Sequence, residues 1–247
     1  MSVEVVLAGA AVLEAAAVEP VLVGPLATER LARSDRVTLG LAAVSGRALA
    51  GLMFGGDDAS VITASWLATE HTNHRFETRR QAGLAVEPRT FPYTAPNAAG
   101  GELAIALHAR GPMLALVGGV EVGLAALERA IAWLGAGRCR QVLVAVGECP
   151  WDGVDVGGVR PVEVAVAFVL ERAEVDDPRP RLRAGYVGGG PATTSTPLLS
   201  VGPLLDLWTL AQSVEGGRVV ATPEVGAAIY VDVARRPEPR MRTLSEP

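Results

Sequence analysis

The sequence predicts an α/β protein whose helices and strands alternate along the chain, and three observations point there. Short apolar runs of strand length are separated by longer segments in which apolar residues recur at helical spacing. One stretch spells out a whole β-α-β unit: the apolar run Met113–Val117, a helical segment over 121–136 and a second apolar run over 142–146. The composition, 49% hydrophobic and 20% charged, is ordinary for a compact α/β protein. At 247 residues the chain is long enough to bury a sizeable core, as one large or two small domains.

Taken in order, residues 3–7 form a short, mostly apolar run suited to a buried strand. Ser34 and Asp35 offer an N-cap to a helix over 36–49, whose Val37, Leu41, Val44 and Ala48 share one face. Residues 51–54 read as a brief strand closed by Gly55-Gly56-Asp57-Asp58. Residues 60–80 read as one helix, its apolar half first and its arginine-bearing half last. Residues 98–108 are helical, and Arg110-Gly111-Pro112 ends that helix. The crossover from strand 113–117 through helix 121–136 to strand 142–146 is expected to join parallel neighbours. A Gly- and Asp-rich segment over 149–161 leads to a sheet run over 162–171, a turn over 176–183 and a strand over 182–187. A loop over 188–197, a helix over 204–214 and a hairpin of 219–221 with 227–233 follow. The end from Arg235 is punctuated by proline and arginine and reads as frayed.

Composition also removes several function classes. Net charge is −5, and the 22 basic residues are all arginine. Without lysine there is neither Schiff-base chemistry nor a P-loop. An acidic balance with 4% aromatics leaves no basic face or stacking platform for nucleic acid. The arginines, spread through the chain, read as solvated or ion-paired surface. No apolar run reaches membrane-spanning length, and Met1-Ser2-Val3-Glu4 lacks the basic start of a signal peptide, so a cytoplasmic location is expected. The two cysteines, Cys139 and Cys149, flank the strand over 142–146, too far apart to pair. They read as reduced thiols with no histidine near them in sequence to activate either.

Other candidate sites carry weaker signals. His71 and His74 lie three apart with Glu77 a turn further on. That spacing suits a helical metal face, but no further ligand stands near, and a solvated helix face explains it as well. His108 precedes Arg110-Gly111-Pro112 and reads as a residue answering free carbonyls at a helix end. The glycines of Gly118-Gly119-Val120-Glu121-Val122-Gly123 follow a strand and open a helix. They lack the dinucleotide spacing, and Glu121 would face the phosphates. Gly188-Gly189-Gly190 reads as a loop. No metal and no cofactor are expected.

The stretch from Pro88 to Glu128 carries the most specific pattern. It runs Pro88-Arg89-Thr90-Phe91-Pro92-Tyr93, Pro96-Asn97-Ala98-Ala99-Gly100, Arg110-Gly111-Pro112, an apolar strand and the glycine turn. This resembles the N-terminal half of a β-ketoacyl synthase, with Leu170-Glu171-Arg172 similar to the strand that completes that half. The resemblance implies a thiolase-like layered α-β-α fold, with its N-terminal half largely complete over 1–190 and its C-terminal half reduced to 191–247. It makes residues 1–247 a single truncated ketosynthase-like domain. Counting from Gly111-Pro112 places Val120 on the nucleophilic cysteine, and an isopropyl group cannot hold an acyl thioester. Glu121 in the first helical turn would repel a thiolate or a malonyl carboxylate. No catalytic residue, and no activity of the chain alone, is implied.

Ketosynthase-like chains without that cysteine resemble chain length factors of type II polyketide and polyene synthases. The resemblance then implies a heterodimer with a catalytic β-ketoacyl synthase, served by acyl carrier protein with acyl and malonyl groups. Met113, Leu114, Leu116 and Val117 would pair across the interface, and Glu121 stands among the tunnel and interface residues. Phe91, Tyr93, Thr94 and Asn97, with Met113 nearby, would shape the acyl tunnel. Plain core packing explains Phe91 equally well, and Asn97 also fits as a helix cap. Two alternatives stay open: an independent acyltransferase or hydrolase using Cys139 or Cys149, and a stand-alone acyl-binding homodimer.

Overall fold

Three strands of the sheet, those over Ala59–Ser65, Gln141–Glu148 and Val164–Arg172, are buried on both faces along most of their length. The computed structural model describes residues 4–14, 20–156, 158, 160–174, 177–187, 199–212, 217–222 and 228–234. Its elements are β1 (Val5–Glu14), α1 (Glu29–Ala32), α2 (Arg36–Ala48), β2 (Ala59–Ser65), α3 (Glu70–Gln81), α4 (Ala98–Ala106), β3 (Met113–Val117) and α5 (Val122–Gly135), then β4 (Gln141–Glu148), β5 (Val164–Arg172), β6 (Arg181–Val187), α6 (Gly202–Gln212), β7 (Gly217–Ala221) and β8 (Ala228–Ala234). Short 3-10 turns cover Gly24–Leu26, Pro88–Thr94 and Leu199–Val201. The eight strands form one sheet in the order β3-β2-β4-β5-β1-β6-β8-β7.

Helices cover both faces, giving the expected α-β-α layering. Along β4 and β5, Val142, Val144, Val146, Val166, Phe168 and Leu170 point to the α5/α6 side. Leu143, Ala145, Ala167 and Val169 point to the α2/α4 side. That second face is built of smaller side chains, and α2 answers with Ala42 and Ala43, fully buried. The period-2 geometry of a strand thus supplies two cores from one run of apolar residues. Among the described residues, no helix is long and apolar enough to cross a membrane.

Four expectations need correction. The strand over 3–7 is longer: β1 runs ten residues and pairs antiparallel with β5 from Val5↔Arg172 to Glu14↔Val164, with a bulge between Leu7 and Gly9. Its small residues admit α2, since a Cβ on Gly9 would lie 2.2 Å from the Ala48 carbonyl oxygen. The helix over 60–80 is a strand followed by a helix. Every residue of β2 is buried, so no alternation betrays it, and Val61, Ile62 and Thr63 are β-branched. The strand over 51–54 is irregular chain instead, with Met53 90% exposed. Finally, β3 and β4 are not neighbours. Both pair in parallel with β2, so the crossover passes over that strand.

The remaining elements fall close to expectation. Asp35 caps α2, accepting the Thr38 N–H at 3.1 Å, and β7 with β8 forms the antiparallel hairpin. These C-terminal strands extend the same sheet past β6, and α6 lies beside α5 on one face. The loop over 188–197, the residues from 235 onward, and parts of the expected strand, turn, helix and hairpin (Val3, Asp176, Val214 and Ala227) lie outside the described residues.

Candidate functional site

The α5 mouth is built from the glycine turn. Val120 is 6% exposed and immediately precedes Glu121, the N-cap position of α5. Glu121 does not cap the helix with its side chain. Its carboxylate turns back to accept the Gly119 N–H at 3.2 Å, while its carbonyl takes the Ala125 N–H at 2.9 Å. A hydrocarbon side chain is packed where the peptide dipoles would favour a negative charge.

The chain beside this mouth is tied down by a carboxylate that the sequence did not single out. Glu148, at the end of β4, is 2% exposed and accepts four hydrogen bonds. One oxygen takes the Trp66 N–H at 2.8 Å and the Ser200 hydroxyl; the other takes the Leu67 N–H at 2.9 Å and the Ser65 hydroxyl at 3.0 Å. Burial pushes this carboxyl above its usual range, and the four donors pull against that shift. Ser200 also seats the 199–201 turn on α5: a Cβ on Gly123 would lie 2.5 Å from the Ser200 carbonyl oxygen. The exits of β2 and β4, the α5 mouth and the C-terminal part are thereby locked together. No local pattern marks Glu148, because its partners lie 52 to 83 residues away.

At the sheet edge, β3 pairs with β2 alone among the described residues. The Gly111-Pro112 start has a steric reason. A Cβ on Gly111 would lie 2.6 Å from the Ala59 carbonyl oxygen, so only glycine lets β3 enter beside β2. Val117 is 54% exposed and Met113 38%, with Leu114 and Leu116 half-buried between them. The opposite edge, β7, is guarded: Arg218 pairs with Asp232 at 2.5 Å and lies 4.2 Å over the Tyr230 ring. The β3 edge carries no charge.

The structure brings some of the expected tunnel residues together and separates others. A narrow crevice beside β3 is lined by Tyr93, Ala99, Leu116 and Val117, with the Thr63 hydroxyl buried and unbonded at its floor. Tyr93 also lines a larger cleft on its other side. Its hydroxyl lies 3.4 Å from Glu102, which Arg30 grips with two nitrogens. Burial and the Glu102 charge raise the Tyr93 pKa. Phe91 is 66% exposed, tilted against Phe76 at 6.5 Å, so the core alternative for it fails. Thr94 contributes its carbonyl to Thr69 at 3.0 Å. Asn97 is exposed and does occupy the N-cap position of α4, its carbonyl accepting the Gly101 N–H at 3.0 Å, but its side chain makes no capping bond.

Neither thiol is poised for chemistry. Cys139 and Cys149 are both free and buried, and burial raises both thiols, Cys149 to about 12. His74 stacks on Trp151 at 5.4 Å, whereas His71 lines the larger cleft. Among the described residues, no cluster of three or more His, Cys, Asp or Glu is placed to hold a metal ion. His108 follows α4 in the left-handed region at φ 52°, and its backbone N–H, donating to the Ile105 carbonyl at 3.2 Å, makes the helix-end contact expected of its ring.

No protein-family model matches the chain, and no curated protein matches it. Solved structures do. The chain is similar to one described as the ishigamide ketosynthase/chain length factor, at 14% identity and TM-score 0.66, over 95% of this chain and 100% of that one. It is similar at 14% identity and TM-score 0.65 to a ketosynthase in complex with its chain length factor from Xenorhabdus doucetiae, again over 95% and 100%. A third, a type II polyketide synthase acyl carrier protein in complex with its ketosynthase, matches at 12% identity and TM-score 0.55, over 79% of this chain and 65% of that one. The chain therefore has the layered fold of the ketosynthases.

Proposed function

We propose that this chain is a non-catalytic, ketosynthase-like subunit, a chain length factor, that pairs with a catalytic β-ketoacyl synthase. Type II polyketide synthesis in the cytoplasm, with polyenes as the narrower placement, is the setting we assign. The carrying observation is the contrast between the two sheet edges. Strand β7 is defended by a paired arginine, while β3 offers an outer backbone unpaired among the described residues and exposed Met113 and Val117 with no charge. A partner strand would satisfy that backbone and cover the crevice formed by Tyr93, Leu116 and Val117.

In this reading the partner performs the condensation on groups delivered by acyl carrier protein. The present chain supplies part of the tunnel wall, from Tyr93 in particular. Val120 holds the nucleophile position without a nucleophile, in keeping with a supporting role. Of the competing readings, an acyltransferase based on Cys139 or Cys149 is disfavoured by the burial of both thiols. An acyl-binding homodimer uses the same edge, and sizing separates it from the heterodimer.

Co-expression with β-ketoacyl synthases encoded beside this chain, followed by size-exclusion chromatography and subunit identification, is the test. We expect a one-to-one complex. A stable monomer with no affinity for any such synthase would remove the proposal, and a stable homodimer would transfer it to the acyl-binding reading.

A further inference from the structure

A second concavity lies on the α2/α3 side of the molecule, a cleft of about 930 Å³. It opens between the first turn of α2, one face of α3 and the Pro88–Thr94 turn. From α3 come His71, Arg75 and Arg79, spaced i, i+4, i+8 and hence aligned in one stripe. Arg33, Arg36 and Arg89 come in from the other walls. The lining thus holds five arginines and two carboxylates on a chain whose net charge is −5. Arg33 pairs with Glu29 at 2.9 Å and Arg36 with Glu163 at 2.7 Å, both carboxylates outside the lining, so the cations that matter are Arg75 and Arg79.

Both carboxylates are already engaged. Asp35 accepts the Thr38 N–H at 3.1 Å and the Thr72 hydroxyl at 2.7 Å, and Glu87 pairs with Arg89 at 3.0 Å. Arg75 has no hydrogen bond and no ion pair among the described residues. Arg79 donates to the Ala85 carbonyl at 2.7 Å and, like Arg75, feels the Glu87 charge without an ion pair of its own among the described residues. The same lining carries the apolar side chains Leu22, Leu39, Phe76 and Val86. The volume is that of a small-molecule site, and guanidinium forks match carboxylate and phosphate oxygens.

We propose that this cleft binds an amphipathic organic anion, its carboxylate or phosphate head held by Arg75 and Arg79 and its hydrocarbon body lying on Phe76 and Leu39. The inference does not rest on pairing through β3, since Arg75, Arg79, Phe76 and Leu39 line the cleft and not the crevice at that edge.

Isothermal titration of the whole chain at low ionic strength tests it, with any co-purifying partner retained. The probes are decyl phosphate, decanoate, inorganic phosphate and decyltrimethylammonium. At least one alkyl anion should bind about tenfold or more tighter than inorganic phosphate, and the alkyl cation should not bind. The tighter of the two alkyl anions names the head group. Arg75→Ala should weaken that binding about tenfold, and Arg75→Ala with Arg79→Ala further, at an unchanged melting temperature. Equal binding of the alkyl cation, wild-type affinity in the double variant, or no binding of either alkyl anion would each overturn the assignment.

Discussion

Glu148 shows how one residue joins three distant segments. Each of its oxygens accepts one backbone N–H and one serine hydroxyl. A serine can reverse its hydroxyl and so tolerates a donor opposite it; a backbone N–H cannot. Glu148→Gln puts an amide NH2 in place of one oxygen, and whichever oxygen it replaces, Trp66 or Leu67 loses its acceptor. A buried donor left without a partner costs about 1–3 kcal/mol. We therefore expect chemical denaturation to show a loss of that size in this variant. An unchanged midpoint would mean that the carboxylate contributes nothing the amide cannot.

Between elements, the decisive feature is the inequality of the sheet's two ends. Strand β3 can sit beside β2 because Gly111 admits the close approach to Ala59, and the outer side of β3 then faces away from the sheet. A charge placed on that edge would stay solvated in the free chain but be buried unpaired in a complex. Val117→Lys, at a position 54% exposed, should leave the circular dichroism and melting temperature of the isolated chain unchanged. In pull-down and sizing, the same variant should lose synthase binding by at least about tenfold. Retained binding would locate the interface elsewhere.

For the whole molecule, acid is expected to act first through His71. Burial holds its imidazole below the ordinary 6.5; Asp35 and Glu163 oppose that shift, and Arg36 and Arg75 reinforce it. The folded chain thus keeps His71 neutral where the unfolded chain would already take up a proton. Stability is fully present above pH 6.5 and is lost as pH falls below that value toward the folded-state pKa. Thermal melts from neutral pH downward should show this decline, and His71→Gln should flatten it. A variant with the wild-type slope would assign the decline to other groups. An anion bound beside His71 would raise its pKa, so the same melts with decyl phosphate present should show a smaller decline.

What the sequence determined by itself were the features encoded between near neighbours. Asp35 as a cap, Met113–Val117 as a strand, the helix that follows it and the β7–β8 hairpin all announce themselves within a few residues. The pattern from Phe91 to Leu127 carried the resemblance to the ketosynthases for the same reason. Tertiary structure decided the rest. Strand β2 is buried on both faces, so its run of apolar and β-branched residues has no period to separate it from a helix. The arginines of the α2/α3 cleft come from three separate segments and read singly as surface. Glu148 became central only when chain 52 to 83 residues away folded onto it. Patterns local in the chain reveal themselves to inspection. Burial on two faces, converging charge and a shared hydrogen-bond acceptor exist only once distant segments meet.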